Sequence, residues 1–291
     1  MEWSRAKNII IVSLVLLNIM LGVIMLSARE RHTLSVEQER NITAVLYREN
    51  ITMDTSIIRR TPPMRMVELS LGTIDGDTMK RIFLGTTEAE VFEYGAIRMY
   101  YYDGSNVFVY ENRVIFENGT FDEFREIDFD IARSMSDEFL AGLGDMARGF
   151  ILDVSPYFSG DEIIVEYRQR MDDGVIIYNN YFLFAIDNHG IRRIEHSQNL
   201  PIGISSSLHE ICGADEALFS FLRAVREDSI DRPKRIIEKM DIVYFMDYEN
   251  LEQGIAYPYF RIYFREYRND GSYVFRLCVV NAYFGTWRMM F

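Results

Sequence analysis

The run Ile9 to Leu26 (IIIVSLVLLNIMLGVIML) carries no charge and is interrupted only by Ser13, Asn18 and Gly22. Its 18 residues reach the length at which a membrane-spanning helix is the default, since about 20 residues at 1.5 Å rise cross a hydrocarbon core. Trp3, Arg5 and Lys7 precede it and supply an interfacial aromatic and flanking positive charge. A cleavable signal peptide, cut after Leu26, Ser27 and Ala28, is the competing reading. Leucine stands there where a small residue is wanted, and the run exceeds the roughly 7 to 15 residues of such a segment, so a retained single-pass anchor in the cell membrane is expected. Long hydrophilic domains translocate largely regardless of charge, which places the N-terminus in the cytoplasm and the bulk of the chain outside. Arg29 and Arg31 on the far side nearly balance the local charge and leave the reverse orientation open.

Beyond the anchor remain about 260 residues, enough for one large or two ordinary domains. A hydrophobic share of 48% with 14% aromatics indicates a folded body. The net charge of −13 argues against nucleic acid as a partner, and against anionic lipid surfaces for the body as a whole, because both need clustered Lys and Arg. The basic residues are nearly all arginine, the lysines being only Lys7, Lys80, Lys234 and Lys239, and arginine pairs carboxylates in bidentate fashion. Cys212 and Cys278 are the only thiols. An extracytoplasmic body permits a disulfide, but Cys278 lies in the apolar run Leu277 to Val280 and reads as a small buried residue.

Along the chain, Ser35 to Arg48 spaces Ile42, Val45 and Leu46 as a helix would, with Ser35 and Gln38 as a capping box. That segment either continues the anchor outward or opens the body. After Pro62 and Pro63 the period becomes two, giving strands from Met64 to Leu71, Met79 to Leu84, Ala96 to Tyr102, Asn106 to Tyr110 and Arg113 to Glu117, an antiparallel meander with turns at Asp103-Gly104 and Glu111-Asn112. A helix over Phe129 to Leu143, faced by Ile131, Met135, Phe139 and Leu143, precedes strands at Glu162 to Arg170, Val175 to Ile186 and Ile191 to His196, then a loop from Asn199 to Ser207. From Ala214 the residues Ala217, Leu218, Phe221, Leu222 and Val225 form one helical face, followed by a short helix at Pro233 to Lys239. Strands close the chain at Ile242 to Tyr248, Tyr257 to Tyr267, Tyr273 to Asn281 and Gly285 to Met290, with Asn269-Asp270-Gly271 as a hairpin turn. Helices followed by runs of strands indicate an α+β fold, antiparallel sheets with packed helices. The domains expected are a cytoplasmic tip and anchor at 1–28, and extracytoplasmic α+β domains at 29–122 and 123–291.

No catalytic set emerges. The four histidines show no HxxxH or HExxH spacing, no Cys and His cluster suggests zinc, and no GxGxxG or GxxxxGKS loop is present. Acidic clusters such as Asp128 with Asp130, or Asp172-Asp173, lack the calcium-loop pattern and read as solvated turns. Asn41, Asn50 and Asn118 open Asn-x-Thr sequons, a pattern too short to carry weight alone. Tyr100, Tyr101, Tyr102, Tyr178 and Tyr181 read as cross-strand and core side chains rather than a ligand platform. No enzymatic activity, cofactor or metal is expected.

The opening Met1-Glu2-Trp3-Ser4-Arg5-Ala6-Lys7, running into a membrane helix that contains Asn18, resembles the N-terminus of the YycI family, accessory proteins of the WalK/WalR two-component system of Gram-positive bacteria. Asn50-Ile51 followed by Pro62-Pro63, and the stretch Tyr257 to Trp287 with Val280-Asn281-Ala282 and Gly285, are similar to that family's body and its PepSY-like closing hairpin. Glu2 stands where the family more often has Asp. The resemblance implies a non-catalytic, membrane-anchored regulator in cell-wall homeostasis, whose helix touches a WalK-like sensor histidine kinase and whose body of PepSY-like units pairs with a YycH-like protein. The helix face it points to is Leu14, Asn18, Leu21, Gly22 and Met25, where one amide and one glycine suit hydrogen bonding and close approach between helices.

Overall fold

The computed structural model describes residues 11, 13–20, 33–120, 123–228, 232–247 and 254–290. In chain order the elements are α1 (Val36–Arg48), β1 (Ile51–Met53), β2 (Val67–Leu71), α2 (Gly76–Leu84), β3 (Glu90–Tyr94), β4 (Ile97–Tyr102), β5 (Ser105–Val109), β6 (Arg113–Glu117) and α3 (Phe129–Gly142). Then come β7 (Phe150–Leu152), β8 (Tyr157–Ser159), β9 (Glu162–Arg170), β10 (Ile176–Asp187), β11 (Gly190–Ser197), β12 (Asn199–Ile204), α4 (Ala214–Asp228), β13 (Arg235–Phe245), β14 (Ile255–Tyr267), β15 (Tyr273–Asn281) and β16 (Trp287–Met290). The fold is mixed α+β with predominantly antiparallel pairing.

Two compact units divide the chain, and they interleave along it: one takes residues up to Met64 with His209–Asp241 and Phe260 onward, the other Arg65–Leu208 with Ile242–Tyr259. The strands β13 and β14 each contribute one part to one unit and one part to the other.

The first unit is a sheet in the order β1-β13-β14-β15-β16, covered by α1 and α4. Its edge pair β1 and β13 is parallel, with Ile51 opposite Arg235 and Met53 opposite Ile237. The five apolar positions that mark α4 in the sequence are all buried, and the Phe221 ring meets Phe264 of β14 edge-on at 5.1 Å. The capping box of α1 forms as expected, Ser35 N–H donating to Gln38 Oε1 at 2.9 Å and Gln38 N–H to Ser35 Oγ at 3.2 Å. Only Ile42 and Leu46 of α1 are buried, so this helix is covered along one narrow stripe.

In the second unit the meander β3-β4-β5-β6 continues through β11, β10 and β9, all antiparallel. Asp103 and Gly104, both at positive φ (46° and 80°), make the tight turn between β4 and β5. α2 and α3 lie against this sheet, where Phe83 of α2 stacks on Phe116 at 5.4 Å and on Phe139 of α3 at 5.7 Å, and Phe139 meets Phe184 at 5.6 Å.

Four local expectations change. Met79 to Leu84 is the greater part of α2, not a strand: Met79, Ile82 and Phe83 recur at helical spacing, Asp75 caps the start by accepting from Asp77 and Thr78 N–H, and Gly85 ends it in the left-handed region at φ 64°. Pro233 to Lys239 is not a helix, because the β-branched pair Ile236-Ile237 lies opposite β1 and becomes the start of β13. Asn199 to Ser207 is not all loop; β12 pairs with β2, and Pro201 is tolerated because the strand lies at an edge with a register shift between Pro201 and Gly203. α3 forms where expected, but Ala132, Ser136 and Leu140 are its fully buried line, with Met135, Phe139 and Leu143 flanking it and Ile131 exposed. Ser136 is admitted to the core by donating its hydroxyl to Ala132 O at 2.9 Å.

Candidate interaction surfaces

Of the helix face that the sequence singles out, Leu14 and Asn18 belong to the helical residues 13–20, while Leu21, Gly22 and Met25 lie outside the described residues. Leu14, Leu16, Leu17, Ile19 and Met20 are all more than half exposed. Asn18 Nδ2 donates to Leu14 O at 3.0 Å, which closes one donor of the amide onto its own helix. Among the described residues no helix is long and apolar enough to cross a membrane.

The densest polar chemistry lies in the second unit around a bulge in β10. Between Ile177 and Tyr181 the pairing with β9 shifts register, so Tyr178, Asn179 and Asn180 are extra residues that leave the ladder. Asn179 exchanges hydrogen bonds with Met246, giving one to its carbonyl at 3.0 Å and taking one from its N–H at 2.7 Å. Asn180 does the same for Asn199, at 2.8 and 2.7 Å. Beside them Arg168 is 5% exposed. Its guanidinium donates to Glu166 Oε2 at 2.8 Å and to Tyr178 O at 2.6 Å, lies 3.7 Å from Asp153, and is stacked between the rings of Tyr178 and Tyr181 at 4.1 and 4.8 Å. Tyr157 donates to the other oxygen of Glu166 at 2.8 Å, and burial against that carboxylate raises its phenol far above the usual range. One guanidinium stands against two carboxylates, and each of these side chains contacts another member of the cluster. Nothing in this arrangement is poised as a nucleophile or base; it reads as a framework that specifies how the bulge packs.

His196 and the two cysteines are similarly closed off. His196 is buried on Phe182, ring centroids 3.9 Å apart, and desolvation lowers its pKa to about 4, so it is neutral throughout the physiological range. Cys212 and Cys278 are both free thiols, each raised by burial to about 12, which removes the thiolate. Among the described residues no group of three His, Cys, Asp or Glu stands where it could hold a metal ion.

What the second unit does offer is an apolar edge. β12 pairs only with β2 among the described strands, and Leu200, Ile202 and Ile204 on it are 52%, 68% and 54% exposed, followed by Leu208 at 58%. Pro201 and the bulge interrupt the run of backbone donors, which guards such an edge against open-ended strand pairing while leaving the side chains available. Clustered exposed aliphatics mark surfaces at which proteins, membranes or ligands are met. The sequence contained the signal, three large apolar residues alternating with Pro and Gly, but those two residues disguised it as a loop.

No family model matches the chain, and no curated protein matches it. Among solved structures it is similar to an uncharacterized protein from Eubacterium rectale, with a TM-score of 0.49 at 11% identity over 82% of this chain and 89% of that one. The C-terminal domain of YpeB from Bacillus megaterium aligns with a TM-score of 0.40 at 9% identity, over 75% of this chain and 98% of that one. YycH from Bacillus subtilis aligns with a TM-score of 0.45 at 13% identity over 74% of this chain, which spans 52% of that protein's length.

Proposed function

We propose that the protein is a membrane-anchored, non-enzymatic regulator of a WalK-like sensor histidine kinase, acting through contacts of its N-terminal helix while the extracytoplasmic body pairs with a YycH-like partner. The observation that carries this reading is the helix of residues 13–20, whose aliphatic side chains stand exposed around a single amide. The apolar run Ile9 to Leu26 to which it belongs has the length a bilayer requires, and there an Asn and a Gly four residues later in the sequence supply hydrogen bonding and close approach to a neighbouring helix. The resemblance of Met1 to Lys7 to the YycI family supplies the kinase as the neighbour. Hydrogen bonds between membrane helices contribute about 0.6 to 2 kcal/mol, which suits adjustment of a kinase equilibrium rather than permanent locking. Apolar β12 is the surface assigned to the partner.

Replacing Asn18 and Gly22 together by Leu should change kinase output, read from a reporter of the response regulator, at an unchanged level of the protein. Unaltered output would count against control through the helix. The exposed β12 edge also favours a second reading, an envelope binding or inhibitor module that engages a peptidase or cell-wall component and uses the helix only as a tether. Exchanging residues 9–26 for an unrelated membrane helix separates the two, because a tethered binding module keeps its function and a helix-coupled regulator loses it.

A further inference from the structure

In a chain of net charge −13, the structure gathers arginines where the body begins. Thr33 forms an antiparallel bridge with Arg60, and Leu34 N–H donates to Arg59 O at 2.7 Å, so Arg59 and Arg60 are held beside the first residues of the body. Across the exposed side of α1 runs a shallow open groove of about 650 Å³, with Val36 and Tyr47 near its ends and Arg40, Arg48 and Arg59 along it. Its carboxylate, Glu39, is occupied by Arg59 Nε at 2.8 Å. Arg40, Arg48 and Arg60 are exposed and form no ion pair among the described residues. Val36 and Tyr47 are 60% and 72% exposed, an aliphatic and an aromatic bracketing the positive charge.

We infer that this face of α1 is a docking surface for the anionic phospholipid headgroups of the bilayer that the anchor enters, an inference that rests on the anchor proposed above. Two observations select this occupant. The first is charge: guanidinium groups pair phosphates bidentately, an interfacial Tyr suits the headgroup layer, and the acidic remainder of the body is repelled by the same surface. The second is reach: the seven peptide links from Leu26 to Thr33 span at most about 25 Å, which keeps Thr33, and Arg60 bridged to it, within about that distance of the end of the apolar run. The docked face would fix how the body is presented above the membrane.

The test uses the full chain reconstituted into vesicles of phosphatidylcholine alone or mixed with phosphatidylglycerol. A donor fluorophore is placed at Thr43→Cys in a Cys212→Ala background, and an acceptor on the headgroups. Flotation with both vesicle types reports the anchor; a chain that fails to float with phosphatidylcholine overturns the anchor and this inference with it. For a chain that floats, energy transfer should rise in the anionic vesicles and fall again in high salt. Each arginine near such a surface strengthens docking about fivefold, so Arg40→Gln, Arg48→Gln and Arg60→Gln together should weaken it about a hundredfold, while the three Lys replacements retain it. Circular dichroism of the Gln variant should match the parent, and a Gln variant that matches but still docks overturns the proposal. Transfer indifferent to lipid charge also overturns it, and a change with protein concentration instead would give the surface to a second copy.

Discussion

Arg168 and the arginines on and beside α1 are one chemical group in opposite circumstances. In the second unit Arg168 is enclosed by two carboxylates, a carbonyl and two aromatic faces. In the first, Arg40, Arg48 and Arg60 lie in the open without an ion pair among the described residues. Burial forces an ion to find partners inside the protein, because desolvation without them is prohibitive. An exposed ion meets no such demand, so its placement is free to serve something outside the protein. The contrast teaches which charges hold the fold and which are left for other contacts.

The comparison breaks first at Arg168. Arg168→Ala leaves Glu166 and Asp153 buried without their cation and should destabilise the full chain by about 3 to 5 kcal/mol in urea unfolding. Adding Glu166→Gln and Asp153→Asn should recover part of that loss, whereas a loss that stays whole would locate the effect in the stacked tyrosines. Protons stress the same unit through His196. Its folded pKa of about 4 lies below the ordinary 6.5, so the unfolded chain takes up the proton first as pH falls. Stability should therefore decline between pH 6.5 and 4, by about 3 kcal/mol in total, and His196→Gln should flatten that slope. Tyr157→Phe removes one hydrogen bond to buried Glu166 and should destabilise by about 1 to 2 kcal/mol, measured in the same titration. At the small end, Arg40→Gln, Arg48→Gln and Arg60→Gln should each move stability by less than about 0.5 kcal/mol, and a larger shift would show that these arginines also hold structure.

How legible these regions are in the sequence follows from how local their causes are. The helices α1 and α4 declare themselves through Ser35 with Gln38 and through an unbroken apolar face. The meander turn at Asp103-Gly104 does so through its two residues of positive φ. α2 was obscured because Ile82, Phe83 and Leu84 in a row look strand-like, and the caps that decide the matter, Asp75 and Gly85, lie outside that row. The start of β13 is decided by its pairing with β1, residues far away in the chain, and local propensity cannot report that. The same holds for the sites. Leu14 and Asn18 are marked by composition alone, whereas the basic groove on α1 takes in Arg59 through Leu34 N–H and Glu39, residues that it does not neighbour in sequence. Arg168 in β9 gave no sign of its burial, since its partners Asp153 and Tyr178 come from either side of the strand.

The interleaving of the two units makes the ends of this chain mutually dependent. Helix α1 and the closing strands β15 and β16 belong to the same unit, and the other unit is drawn from two segments that lie between them in the chain, Arg65–Leu208 and Ile242–Tyr259. A stop codon ahead of Tyr273 would therefore do its damage at the opposite end of the gene product, in the unit that contains α1 and its arginines. Truncation cannot serve to separate the two units of this protein, and a chain under synthesis cannot complete its first unit until its last residues have arrived.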